Sequence, residues 1–123
     1  MVPVKLMNIH DGQWKPASPE YSTSDFDVPW VLVHFWANWN LVDRKMDETL
    51  IRMKLPESIV VRSCDIDNQP ELAIRSRVGN IPALALFHHG NRVETLIGLH
   101  DPKTIRNWLD SQIIQMEAKN KNE

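Results

Sequence analysis

The run Trp30-Val-Leu-Val-His-Phe-Trp36 constrains the fold more than any other segment. Val31, Val33 and Phe35 fall on one alternating set and Leu32 and Trp36 on the other, so a strand here is apolar on both faces. Such a strand must be covered from both sides, which places it inside a sheet flanked by helices. The downstream residues can supply that cover. Val42, Met46, Leu50 and Met53 recur at helical spacing, Glu48 precedes Arg52 at the favourable i,i+4 offset, and Pro56 stops the helix. Ser58–Ile66 is a second buried strand rich in β-branched residues. A short helix is predicted from about Pro70 to Arg77, then a strand over Ala83–Phe87, a turn at His88-His-Gly-Asn91 and a returning strand over Val93–Ile97. Asp101 followed by Pro102 reads as an N-cap with proline at the first helical position, and Ile105, Leu109, Ile113 and Met116 give the last helix its apolar stripe. Upstream, Val4–Ile9 alternates like an edge strand, and Ser18-Pro19 opens a short helix over about 19–25. The strand–helix–strand units require parallel pairing and the final hairpin antiparallel pairing, so the sheet is mixed. The expected class is α/β, about five strands and about four helices. A single domain over 1–123 is expected: an N-terminal strand and linker (1–19), a core (20–116) and a flexible tail (117–123).

Composition narrows the function. The 14 basic and 16 acidic residues leave a net charge of −2, without the concentrated basic face of a nucleic-acid binder. No apolar run approaches the roughly 20 residues that span a bilayer. Met1–Asn8 carries no basic stretch followed by a long apolar one, so no export signal is expected. Cys64 is the only cysteine. Internal disulfides and a Cys/His zinc set are therefore excluded, and a reducing cytoplasm is the expected setting. No cofactor and no metal are expected. Cys64 sits in the 58–66 strand beside Ile66, as a buried core thiol. His34, in an apolar strand, is expected to be a neutral, hydrogen-bonded core histidine. Asp43, Asp47 and Glu48 read as surface charges favourable to a helix N-terminus. His88, His89 and His100 read as solvated side chains without a ligand set.

Three motifs carry a family resemblance. Val31-Leu-Val-His-Phe-Trp-Ala-Asn-Trp39 resembles the thioredoxin strand that runs into the Trp-Cys-Gly-Pro-Cys loop. Gly79-Asn-Ile-Pro-Ala-Leu84 resembles the segment bearing that family's cis-proline, and Phe87–Gly90 with Ile97-Gly98 resembles its closing hairpin. The resemblance covers roughly residues 20–115 and implies the thioredoxin fold. It also implies a cis Ile81–Pro82 bond and a peptide groove at Ile81 and Pro82. Trp39, Asn40, Leu41 and Val42 would border that groove, with Gly98 and Leu99 opposite.

The departure lies where the chemistry should be. Against Trp-Cys-Gly-Pro-Cys-Lys the chain reads Trp39-Asn-Leu-Val-Asp-Arg44, with Asn40 and Asp43 at the two cysteine positions. Neither can form a mixed disulfide, which requires a thiolate. The aspartate that the family keeps beneath its dithiol falls on His34. Asn40 and Asp43 resemble a capping box, worth about 1 kcal/mol.

From these residues the expected function is a non-redox protein-binding module (an adaptor, assembly factor or holdase) acting through the cis-proline groove. Its partner would be a protein or an extended peptide segment, with no nucleic acid and no membrane, and the chain would be a monomer or weak dimer. One alternative is a thiol–disulfide oxidoreductase-related enzyme that uses Cys64 or a partner's cysteine. Another is a structural subunit, including a spliceosomal thioredoxin-like protein, on a local likeness at Trp39 and Lys45-Met-Asp-Glu48.

Overall fold

Residues 14–121 are described by the computed structural model; the expected strand at Val4–Ile9 lies outside them. Four strands, β1 (Trp30–Trp36), β2 (Ile59–Asp65), β3 (Ala83–His88) and β4 (Asn91–Ile97), form one sheet in the order β2-β1-β3-β4. β1 pairs parallel with β2 and antiparallel with β3, and β3 pairs antiparallel with β4. Every residue of β1 is buried, which explains its continuous apolar run.

Three α-helices cover the sheet: α1 (Val42–Met53), α2 (Pro70–Arg75) and α3 (Pro102–Lys121). The sequence led us to expect a further helix over 19–25; the described chain has a 3-10 turn at Thr23–Asp27 instead, where Ser22 and Asp25 close a capping box. α3 continues through the polar segment expected as a tail as far as Lys121. The same residue types that make 117–121 polar also favour helix, and continuation of an existing helix needs no new nucleus.

Alternation along β1 splits the core. Leu32 faces Met46, Leu50, Ile105 and Leu109, on the side covered by α1 and α3. Val31, Val33 and Phe35 face the other way, with Cys64, Leu72, Ala73 and Phe87, beneath α2 and the segment holding Tyr21 and Phe26. Full burial of each large side chain is worth roughly 1.5–3 kcal/mol, so these two layers hold the strand ends in place.

Two further contacts tie the periphery to this frame. The segment before the 3-10 turn runs along the outer edge of β2: Ser63 donates its amide to Pro19 and Tyr21 donates to Ser63, at 2.7 and 2.8 Å. Arg106 of α3 donates to the carbonyl of Met53 at 2.7 Å, tying α3 to the end of α1.

Candidate functional site

The carboxyl end of β1, the start of α1 and the loop before β3 meet at one end of the sheet. Asn40 links two of them. Its Oδ1 accepts the Val42 amide at 2.9 Å, and its Nδ2 donates to the carbonyl of Ile81 at 3.2 Å. The Ile81–Pro82 bond is cis, and Gly98 donates its amide to the Pro82 carbonyl at 2.8 Å. Gly98 has φ 97, in the left-handed region that a side chain resists, so glycine suits that contact. Trp39 and Asn40 face Gly79–Ile81 across a cleft of about 240 Å³. Trp39, Leu41, Val42 and Leu99 are 66%, 65%, 41% and 43% exposed. Leu99 lines a different cleft, beside Lys45, Arg52 and His100.

The expected capping box is half realised. Asn40 does satisfy an orphan amide of the helix, as an Asx turn. Asp43 does not reach back to it. α1 starts at Val42, so Asp43, Met46, Asp47 and Leu50 share the inward face, and Asp43 is fully buried. Its Oδ2 accepts the Ala37 amide at 2.8 Å, while Oδ1 has no partner among the described residues. Burial pushes this carboxyl up to about 7, against the opposing pull of the Ala37 hydrogen bond. Asp47 is buried as well. Both of its oxygens accept the Ala17 amide, at 3.1 and 3.2 Å, and burial again raises the carboxyl. The reading of these two aspartates as surface charges is therefore corrected; Glu48 alone of the three is exposed.

His34 is buried and held neutral, its pKa pulled down to about 3 by desolvation. The expected hydrogen bond is missing: neither ring nitrogen has a partner among the described residues. Its neighbours across the sheet are Ser63 and Leu84, and Ser63 turns its hydroxyl outward to the Ser18 carbonyl. Cys64 is the buried core thiol expected. Its Sγ lies 3.3 Å from the Gln69 carbonyl, and burial pushes the thiol up to about 12. No three His, Cys, Asp or Glu side chains among the described residues converge as a metal site.

The thioredoxin family model matches residues 22–111, most of the chain and the whole of this site. The chain belongs to the thioredoxin family. A thioredoxin of Rickettsia bellii is 32% identical over 89 residues, covering 71% of this chain and 84% of that protein. A thioredoxin of Pyropia yezoensis is 34% identical over 87 residues, covering 68% and 79%. Among solved structures, a mutant thioredoxin from Halobacterium salinarum superposes with a TM-score of 0.66 at 25% identity, over 82% of this chain and 96% of that one. Mitochondrial thioredoxin 3 of Saccharomyces cerevisiae shares the fold, with a TM-score of 0.65 at 19% identity over 72% and 84%.

These relatives overturn the expectation of a non-redox binding module. The sequence relatives carry the name thioredoxin, and that points to thiol–disulfide chemistry.

Sequence pattern alone does not single out Trp14 and Asp67. Trp14 packs edge-on against Trp36 with ring centroids 5.3 Å apart, and Asp67 accepts the Trp39 indole N–H at 3.0 Å. The available signal is the unusual number of tryptophans, 5 in 123 residues, two of them flanking the loop. Only the path of the chain brings Trp14 to the others. Among the described residues no helix is long and apolar enough to cross a membrane.

Proposed function

We propose that this thioredoxin-family chain takes part in thiol–disulfide exchange, with the reacting sulfur supplied by a cysteine of a partner protein. The relatives named thioredoxin, aligned over about 70% of the chain, carry the reading. The choice of a partner's sulfur over Cys64 rests on burial. A thiol at about 12 is ionised in roughly one molecule in 100,000 at neutral pH, and only the thiolate attacks. In the step proposed, the partner's thiolate attacks one sulfur of a second molecule's disulfide. A new S–S bond forms, the old one breaks, and the departing sulfur leaves as a thiolate that takes up a proton. A mixed disulfide and a free thiol replace the starting disulfide and thiol, so no further oxidant or reductant is consumed. A reducing cytoplasm is the proposed setting, in keeping with a single buried cysteine.

The test is exchange between a cysteine-bearing extended peptide and a fluorescently labelled disulfide peptide, with and without the chain. Acceleration of about tenfold or more is expected, and Cys64→Ser should retain it. Absence of acceleration overturns the proposal. Loss in Cys64→Ser transfers the role to that thiol.

A further inference from the structure

Beside the site, and separate from the chemistry just proposed, lies a pocket of about 410 Å³. Three of the chain's tryptophans line it: Trp14, Trp36 and Trp39. The Trp14 and Trp36 rings meet edge to face at 87°, and Trp36 is only 3% exposed, so it contributes a nearly buried second wall behind Trp14. Trp39 is the third, held in orientation by its N–H bond to Asp67. Asn38 donates to the Trp14 carbonyl at 3.5 Å, which fixes the first wall to the loop carrying the third.

The charge lining this pocket is acidic, with Asp65 and Asp67 against the single ammonium of Lys15. Indole faces carry negative quadrupole potential and attract cations, more strongly when the site is partly desolvated. Trp14 already does so, with the Arg44 guanidinium carbon 5.3 Å from its ring centroid.

The hydrogen bonds then decide which cation. Asp65 Oδ1 accepts the amides of Asp67 and Asn68 at 3.0 and 3.4 Å, and its Oδ2 accepts the Asn68 side chain at 2.9 Å. Asp67 Oδ2 is taken by Trp39. Asp65 thus has three of its roughly four acceptor positions in use and Asp67 one, so Asp65 has little left for a donor-bearing cation. A primary ammonium brings three N–H donors and a guanidinium five, all needing acceptors. A quaternary ammonium brings charge without donors, and its methyl groups pack on indole faces. We propose that this pocket binds a quaternary ammonium group, as the trimethylammonium head of a choline-type molecule or of a trimethylated lysine side chain. The site needs neither Asn40 nor Asp43, so it stands or falls independently of the exchange reaction.

The experiment tracks the indole N–H signals of all five tryptophans by two-dimensional NMR during titration of the full chain. The probes are choline, a short peptide with trimethyllysine, the same peptide with unmodified lysine, and the neutral isostere of choline in which carbon replaces nitrogen. Choline or the trimethyllysine peptide should shift Trp14, Trp36 and Trp39 saturably in the roughly millimolar range or below, and leave Trp30 and Trp108 unmoved. The neutral isostere and the lysine peptide should bind at least about fivefold more weakly. Tighter binding of the peptide than of choline assigns the group to a side chain; equal binding assigns it to a small molecule. Asp67→Asn should weaken binding about fivefold, Trp39→Ala should abolish saturation, and Lys15→Ala should tighten it. Both Asp67 and Trp39 are exposed, so these variants keep the core intact. Equal binding of the neutral isostere, shifts centred on Trp30 or Trp108, or no saturable shift in the unsubstituted chain overturns the proposal.

Discussion

Two helices in this fold begin beside an aspartate, and the two carboxyl groups are driven in opposite directions. At α3, Asp101 is exposed and accepts the Thr104 amide at 2.8 Å; that bond holds its carboxyl below the usual range. At α1, Asp43 accepts the Ala37 amide at the same 2.8 Å, yet its carboxyl is pushed up to about 7. The hydrogen bond is the same kind of contact in both places. Water makes the difference: Asp101 keeps it around the charge, whereas Asp43 has exchanged it for an apolar layer and one amide. A helix N-terminus thus favours a carboxylate only while the charge remains hydrated.

The largest effect expected from this contrast is at Asp43. Its folded pKa exceeds the unfolded value near 4, so the folded state binds the proton more tightly. The resulting stability is complete below about pH 4 and is lost as pH rises through 7. The loss is roughly 2–4 kcal/mol, a range discounted for relaxation around the ionised group. Asp43→Asn should therefore be more stable than the parent by about that amount at pH 9, with little difference at pH 4. Urea unfolding at the two pH values measures this, and an equal difference at both breaks the comparison.

The next effect is at His34, where burial acts on a base. Its folded value of about 3 lies below the unfolded 6.5, so its contribution is full above 6.5 and lost as pH falls toward 3. His34→Leu should gain about 2 kcal/mol over the parent at pH 5, beyond whatever it gains at pH 8 by removing two unpartnered nitrogens. A gain independent of pH would mean that the ring is not kept neutral by burial. Between pH 4 and 6.5 the His34 and Asp43 slopes oppose, so the parent's stability should be nearly flat there while each variant slopes.

The smallest effect belongs to Asp101. Asp101→Ala should lower the melting temperature slightly, and the difference should vanish only below the usual carboxylate range, since the charged form makes the cap. Thermal scans from pH 7 down to pH 2.5 would show it. A difference that already fades near pH 5 would place Asp101 in the same class as Asp43.

What can be read from the sequence divides along the same line. β1, the Asp101-Pro102 helix start and the burial of Cys64 are legible, because each depends on local pattern: alternation, a cap, a β-branched strand. The inward turn of Asp43 is not. An aspartate three residues after an N-cap residue matches a capping box, and only the path of the chain at Ala37 reveals which amide the carboxylate accepts. Asp43 and Asp101 are both aspartates at a helix start by sequence; their surroundings differ. Trp14 is hidden for a related reason, since its wall exists only once the 14–19 segment crosses beside Trp36. The expectation of a non-redox module went astray by equating two missing sulfurs with the absence of sulfur chemistry.

The edges of the sheet bear on how the protein behaves when concentrated. A sheet's outer strands normally offer unpaired amides to any other chain. Here Pro19 and the Ser63 bonds of residues 18–21 close the carboxyl half of β2's free side, while β4 shows Arg92 and Glu94 to solvent and a register shift kinks the pairing of β3 with β4. Proline cannot donate to a neighbouring strand, and charge on a flat edge repels one. Among the described residues, what remains open is the first half of β2, Ile59–Arg62. Refolding at high concentration should therefore aggregate through that stretch first.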